Sequence, residues 1–328
     1  MAEHLVNLYQ RNNITAAELR EQLPDHPDLT ITDSGPEDVP TAYRDALSTA
    51  TIVLAPLEKE RRIDADLLRA MPRCRLIQSV AVGFDGVDHL AAADCGIPVA
   101  NLPGFNTDAV ADWTVGAMLS LLRKFADGHD KIQRGGWGPE GLRGRDLSAL
   151  TVGILGFGNI GRAVARRLDG FGARVVVHDQ VRSEPGREYL SLDELISRAD
   201  ILCVHLPLHD ATANLLDETV LRRLPQGAYV VNAGRGGVLD EHALVRLLDS
   251  GHLAGAALDV FAVEPLPADS PLRGRGDVLL TPHTGGVTWE AYHGLRAQLF
   301  RELDQVLSGK PPANIVNGIQ HGATTASR

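Results

Sequence analysis

Leu150-Thr151-Val152-Gly153-Ile154-Leu155-Gly156-Phe157-Gly158-Asn159-Ile160-Gly161 carries an apolar run straight into a G-x-G-x-x-G turn. Arg162 to Phe171 then sets Val164, Ala165 and Leu168 at helical spacing, and a second apolar run, Ala173 to Val177, ends in His178-Asp179. The order is strand, glycine turn, helix, strand, acid. A glycine-rich turn alone is only a loop; an acid roughly 20 residues past the last glycine makes it a dinucleotide site. Gly156 allows the tight turn, Gly158 clears the approach of a pyrophosphate, and Gly161 lets the helix close on the strand. The helix start offers unpaired N–H groups and a positive dipole end to phosphates. Asp179 can accept hydrogen bonds from ribose hydroxyls, and its charge repels a 2′-phosphate, so NAD is expected over NADP. Arg182 either softens that preference or is an ordinary exposed loop arginine.

Outward from this stretch the same rhythm continues. Strands are expected at 51–55, 75–79 and 97–100 before it, with helices over Ile63 to Met71 and Val87 to Asp94. Further strands are expected at 151–155, 173–177, 201–205, 228–232, 254–258 and 277–280. Such alternation implies parallel sheets with helices on their faces. Thr107 to His129 reads as one long helix, broken by the glycine-rich Gly135-Gly136-Trp137-Gly138-Pro139. Ser191-Leu192-Asp193-Glu194 has the form of a capping box. Val287 to Ser308 reads as a final helix returning to the first domain, with a fraying tail from His321 to Arg328. A crevice between the domains is the expected ligand site.

The 328 residues suit two domains, and 44% hydrophobic with 23% charged residues suits a soluble globular chain. A net charge of −10 argues against a non-specific nucleic-acid surface but leaves room for a small anionic substrate met by a local arginine. Cys74, Cys95 and Cys203 are scattered and form no C-x-x-C pair, so neither disulfides nor a zinc site is expected. No acid or histidine cluster has metal-ligand spacing. Met1-Ala2-Glu3-His4 lacks the basic and apolar regions of a signal peptide, and no run is long enough for a membrane span. A reducing cytoplasm is therefore expected.

Three later segments each end a strand in a polar group. Val231-Asn232-Ala233-Gly234-Arg235-Gly236-Gly237 presents a glycine-flanked arginine where open α/β sheets bind ligands, and a guanidinium can fork onto a carboxylate. Ala257-Leu258-Asp259-Val260-Phe261-Ala262-Val263-Glu264-Pro265 and Leu279-Leu280-Thr281-Pro282-His283-Thr284-Gly285-Gly286 supply a glutamate and a histidine. A carboxylate beside a histidine favours imidazolium, which can deliver a proton to a carbonyl oxygen while hydride arrives at carbon. Each group alone also reads as an ordinary loop residue. It is their conjunction with a dinucleotide site that points to chemistry.

Together these motifs resemble the D-2-hydroxyacid dehydrogenase family along nearly the whole chain. The resemblance also takes in Ser79-Val80-Ala81-Val82-Gly83-Phe84-Asp85-Gly86-Val87-Asp88, similar to the family's substrate loop, and Asn101-Leu102-Pro103-Gly104-Phe105-Asn106-Thr107. It implies an α/β fold of two doubly wound parallel-sheet domains. A Rossmann NAD-binding domain over 102–286 would be inserted in a flavodoxin-like substrate-binding domain made of 1–101 and 287–328. It implies that Arg235 holds the substrate carboxylate, that His283 is the acid/base paired with Glu264, and that Val82 and Gly83 bind the carboxylate by backbone N–H. For NAD it implies Thr107, Gly156, Phe157, Gly158, Asn159, Ile160, Asp179, His205, Pro207, Thr212, Ala233, Asp259 and Gly286, with Asp259 on the nicotinamide carboxamide. No metal is implied, and a homodimer is.

The implied reaction is reversible NAD-dependent reduction of a 2-keto acid to a D-2-hydroxy acid. Two other readings stand beside it: a phosphonate-handling dehydrogenase of the same family, and an NAD-sensing binding protein similar to the C-terminal-binding corepressors. Val82 stands where the phosphite-oxidising relative has lysine, and Glu264 where the formate-oxidising one has glutamine, which counts against both chemistries. Asp112-Trp113 departs from the Glu-His of many members. Leu57, Phe84, Phe105 and Trp289 are candidates for the wall that selects the substrate side chain.

Overall fold

A computed structural model describes residues 3–9, 14–33, 43–56 and 62–319. Leu57 and the tail from His321 to Arg328 lie outside the described residues. The chain divides into two compact units, Met1–Asn106 with Thr288–Arg328, and Thr107–Val287.

The first unit holds strands β1 (His4–Asn7), β2 (Thr30–Asp33), β3 (Ile52–Ala55), β4 (Leu76–Ser79) and β5 (Val99–Ala100), ordered β2-β1-β3-β4-β5 with parallel pairing throughout. This is the flavodoxin-like order, 2-1-3-4-5. Every residue of β3 and β4 is buried, as strands covered by helices on both faces must be. The helix Trp289–Leu307, capped by Thr288, lays Leu295, Leu299, Phe300, Leu303 and Val306 on Leu5, Ile52, Leu54 and Leu76. The last helix thus completes the core of the first sheet.

The second unit holds β6 (Thr151–Leu155), β7 (Arg174–His178), β8 (Glu188–Tyr189), β9 (Ile201–Val204), β10 (Ala228–Asn232), β11 (Leu253–Leu258) and β12 (Val278–Leu280). Their order is β12-β11-β10-β9-β6-β7-β8, again all parallel. Counted from β6, this is the Rossmann order 3-2-1-4-5-6 with one further strand at the far edge, and the order reverses between β6 and β9, at the glycine turn. The capping box expected at Ser191 and Glu194 is formed in both directions.

The long helix expected from Thr107 to His129 is two helices, Thr107–Arg123 and Phe125–Gln133. Lys124 adopts φ 51°, a left-handed conformation, and the Leu122 carbonyl accepts from the Arg145 N–H at 3.0 Å. The returning chain thus takes an acceptor that a continuous helix would have used. Helix Thr107–Arg123 packs small residues, Ala111 and Ala117, against Ala163 and Val164 of helix Asn159–Gly170. Arg167 ties the two by Nε to Asp112 at 2.5 Å and Nη2 to Asp108 at 3.0 Å. Asp112 therefore serves helix packing. Among the described residues, no helix is long and apolar enough to cross a membrane.

Candidate active site

The glycine turn is the first component. A Cβ on Gly156 would lie 2.8 Å from the His205 carbonyl group, and Gly156 itself sits at φ 95°. A Cβ on Gly161 would strike the Gly156 carbonyl oxygen, whereas one on Gly158 would meet nothing within 4 Å. Two glycines are thus required by packing and the middle one faces open space, as a turn that admits a pyrophosphate requires. Gly158 caps helix Asn159–Gly170 without a side-chain acceptor, which leaves first-turn N–H groups for an anion. Phe157 is buried and edge-on to Tyr189, and its N–H donates to Asp179 Oδ2 at 2.6 Å. Asp179 Oδ1 accepts from Val181 N at 2.9 Å. Ile160 packs on the core beneath, and Asn159 Oδ1 accepts from Arg162 at 2.7 Å. Arg182 lies over the Tyr189 ring, 5.6 Å from its centroid. These residues fit a dinucleotide.

His205, Pro207 and Thr212 follow β9. Thr212 is buried, and its hydroxyl donates to the Pro207 carbonyl at 2.7 Å and accepts from His209 N at 2.9 Å, so it staples this turn. His205 is half-buried as a residue, yet both ring nitrogens are shielded from solvent and have no hydrogen-bond partner among the described residues. Burial pushes its pKa down to about 4.

At the end of β10, the buried Asn232 shapes the arginine loop: its Oδ1 accepts from Gly234 N at 3.0 Å and its Nδ2 donates to the Arg235 carbonyl at 3.2 Å. Ala233 N donates to the Val204 carbonyl at 3.3 Å. Arg235 Nη1 donates to the Gly234 carbonyl at 2.9 Å, and its guanidinium adds to the field at Glu264.

At the end of β11, Glu264 Oε1 accepts from Phe261 N at 2.9 Å, and Oε2 lies 2.8 Å from His283 Nδ1. Burial works against the charged carboxylate. The His283 hydrogen bond, the Phe261 N–H and the charges of His283 and Arg235 outweigh it and hold the Glu264 pKa below its ordinary value. Asp259, 2% exposed, accepts from Thr281 Oγ1 at 2.6 Å and Thr284 N at 2.8 Å on Oδ1, and from Gly285 N at 2.7 Å on Oδ2. Its carboxylate thus grips the turn on which His283 stands. Trp113 reaches the same turn: a Cβ on Gly285 would lie 3.4 Å from its Cγ. Gly286 follows, half-buried, and Thr107 opens helix Thr107–Arg123.

Val82 and Gly83 belong to the first unit. The carbonyls of Ala81, Val82 and Gly83 accept from Leu102 N at 2.9 Å, Asn101 Nδ2 at 2.7 Å and Ser79 Oγ at 2.6 Å. The turn is therefore fixed through its carbonyl side. Among the described residues, no three or more His, Cys, Asp or Glu side chains gather as a metal would need.

Residues 115–285 match the family model for the NAD-binding domain of D-isomer-specific 2-hydroxyacid dehydrogenases. The chain belongs to that family. It is 40% identical over 267 residues to a glyoxylate reductase of Thermofilum pendens, covering 78% of each chain. Among solved structures, the D-lactate dehydrogenase of Aquifex aeolicus, with NAD and lactic acid, aligns at TM-score 0.83 and 26% identity over 94% of this chain and 96% of that one. The NADPH-dependent glyoxylate/hydroxypyruvate reductase of Sinorhizobium meliloti, with NADP and malonate, aligns at TM-score 0.83 and 28% identity over 96% and 97%. This family member is an oxidoreductase, and NAD is its cofactor.

The hydrogen bonds of Asn232, the contact of Trp113 with the Gly285 turn and the grip of Asp259 on that turn were not expected from sequence. Asn232 carried a signal, a polar residue closing an apolar strand; the other two depend on chain segments far apart in sequence.

Proposed function

We propose that this dehydrogenase reduces small 2-keto acids to D-2-hydroxy acids, reversibly, with Arg235, His283 and Glu264 as the acting side chains. The observation that carries the reading is the 2.8 Å contact of His283 Nδ1 with a Glu264 carboxylate already anchored by Phe261 N–H. A carboxylate on Nδ1 fixes the ring so that Nε2 is the nitrogen that exchanges a proton with the substrate oxygen. Arg235 binds the substrate carboxylate and polarises the keto oxygen, and Val82 and Gly83 N–H groups are further donors to the carboxylate. The bound coenzyme supplies or accepts the hydride. For the coenzyme, Asp179 takes the ribose hydroxyls, the first turn of helix Asn159–Gly170 takes the pyrophosphate, and Thr107, His205, Pro207, Thr212, Ala233, Asp259 and Gly286 complete its surroundings.

Glyoxylate, the 2-keto acid without a side chain, is the first substrate to try, since the Thermofilum pendens relative is a glyoxylate reductase. The test is a panel of 2-keto acids and keto-phosphonates against NADH and NADPH, read as coenzyme oxidation with the chirality of the product determined. Turnover of keto acids with NADH to D products supports the reading. Turnover of phosphonates alone, or coenzyme binding with no turnover of any of them, sinks it.

We also propose a homodimer in a reducing, cytoplasmic setting, with no nucleic-acid or membrane partner. Phe125, Ile132 and Trp137 are exposed on and beyond helix Phe125–Gln133, which buries none of its own residues, and the three cysteines are free. Sedimentation of the purified chain checks the dimer.

A further inference from the structure

Two consecutive peptides that meet at Phe261 touch both halves of the candidate chemistry. The Phe261–Ala262 peptide lies directly under Gly236: a Cβ there would strike the Phe261 carbonyl group, so the residue after Arg235 rests on this peptide with no space between. Its own N–H, that of Ala262, and the N–H of the preceding peptide, that of Phe261, are both held by carboxylates. Phe261 N donates to Glu264 Oε1 at 2.9 Å, and Ala262 N donates to Glu241 Oε1 at 2.6 Å. Glu241 reaches it from the first turn of helix Glu241–Asp249, whose N-cap Asp240 is itself fixed by accepting from Ala243 N at 2.9 Å. Gly236, Glu241 and Glu264 thus converge on two consecutive peptide planes that meet at the Cα of the buried Phe261. Each plane is rigid, and the soft torsions between them are those of Phe261, itself 6% exposed, so release of the Ala262 N–H loosens the joint that carries the anchor of Glu264.

We propose that Glu241 is a positioning residue: by holding the Ala262 N–H it fixes the Phe261–Ala262 peptide, and through it the spacing between the Arg235 guanidinium and the Glu264–His283 pair. The proposal rests on the reading of Glu264 and His283 given above. Glu241 touches no reacting atom in this scheme. Its carboxylate is placed at a cost. Burial, with Glu264 and Asp240 as like-charged neighbours, raises its pKa; the Ala262 N–H and His242 oppose that without cancelling it. A first-turn glutamate serving only the helix dipole would lie in solvent and would not be bound to a loop N–H more than a dozen residues beyond its own helix. Around Glu264, the other charged groups are His283 and Arg235.

The test compares Glu241→Ala, Glu241→Gln and Glu264→Gln in the full chain. The readouts are kcat and KM for a 2-keto acid across pH, NADH affinity by fluorescence, and the melting midpoint. Misplacement on the ångström scale costs up to about 10²-fold in rate. Glu241→Ala is therefore expected to lose between about tenfold and a hundredfold in kcat, with NADH affinity within about twofold of wild type. Glu241→Gln keeps an oxygen acceptor for Ala262 N–H and is expected to recover to within about threefold. Both variants are expected to act on kcat more than on KM for the keto acid. If Glu264→Gln is crippled while Glu241→Ala keeps wild-type kcat, KM and pH profile, the positioning role is overturned and the pair's role stands. If Glu264→Gln itself turns over normally, the reading of the pair has failed and the role of Glu241 falls with it. A loss shared equally by Glu241→Ala and Glu241→Gln, with a lowered melting midpoint, marks a purely structural residue and also overturns the proposal.

Discussion

The main-chain N–H of His283 donates to the carbonyl oxygen of Asp259 at 2.8 Å, while the Asp259 carboxylate takes the next two N–H groups, those of Thr284 and Gly285. His283 sits at φ 54°, a left-handed conformation that costs a non-glycine residue about 1–3 kcal/mol and persists only where its surroundings over-determine it. Three consecutive N–H groups held by one aspartate supply that determination. Asp259→Ala leaves the Thr281 hydroxyl and two N–H groups without their acceptor, each worth about 1–3 kcal/mol if it stays buried. The expected outcome is a fall in melting midpoint together with a large loss of kcat. Asp259→Asn, which keeps one acceptor oxygen, should lie between the two. Thermal melts and steady-state kinetics on the same samples check this; an Asp259→Ala protein with normal midpoint and normal kcat would count against the anchoring role.

His283→Gln is expected to cut kcat by about 10²–10⁴ with little change in NADH affinity, the range for loss of a general acid/base. Glu264 carries a signed pH expectation. Its pKa is held below the ordinary carboxyl value of 4.5, so the ionised form that pairs with His283 is the one the fold favours. Any stability this gives is complete above the unfolded value and is lost only as pH falls through the lower folded one. Acid inactivation by protonation of Glu264 should thus occur below pH 4.5, and Glu264→Gln should abolish that limb. An acid limb unchanged in Glu264→Gln would assign it to another group.

His205 gives the opposite kind of pH term. Its folded pKa is about 4 against 6.5 for a free imidazole, because burial disfavours the charged ring. The unfolded chain therefore takes up a proton that the folded chain refuses. Stability from this residue is intact above pH 6.5 and declines as pH drops towards 4, by about 1.4 kcal/mol per pH unit at most. Replacing it with an apolar side chain of similar size, His205→Leu, removes the titration. Urea midpoints at pH 7.5 and pH 5 should differ less in this variant than in wild type, and parallel losses in the two proteins would show that His205 is not the group responsible.

The glycine turn and both parallel sheets were legible because their causes are local. A run such as Ile201–Val204 is apolar on both faces, and the three glycines answer to contacts within one βαβ unit. The break at Lys124 was not, because its cause is the chain returning at Arg145 to take the Leu122 carbonyl. Strands β1 (His4–Asn7) and β2 (Thr30–Asp33) are interrupted or closed by polar residues and β8 is Glu188-Tyr189 alone, so none shows the continuous apolar run that marks β3 and β9. At the candidate site, the side chains that could act stood out as ionisable groups after strand ends. Those that hold them in place did not. Glu241 meets Ala262, and Asp259 meets Gly285, across intervals of more than twenty residues that no local pattern reports.

Asp179 links coenzyme choice to loop order. Both its oxygens already accept backbone N–H groups, Oδ2 from Phe157 at 2.6 Å and Oδ1 from Val181 at 2.9 Å, so the acid braces the glycine turn in addition to the ribose role proposed for it. Two arginines of this region have partners of their own: Arg162 donates to Asn159 and Ser183, and Arg182 lies over Tyr189. A 2′-phosphate would meet the charge of Asp179 first. Asp179→Ser removes that charge and shortens the acceptor. The ratio of kcat/KM for NADPH over NADH should rise by tenfold or more, a shift of about 1.4 kcal/mol. The NADH term should itself fall because the Phe157 N–H loses its carboxylate. Arg182→Ala should leave NADH kinetics within about twofold, since its ring contact is an exposed one worth about 0.5–1 kcal/mol. Coenzyme titrations of the two variants separate charge from bracing. If Asp179→Ser lost NADH turnover with no gain for NADPH, the carboxylate would be a structural brace alone, and the basis for NAD preference would lie in other residues of the turn.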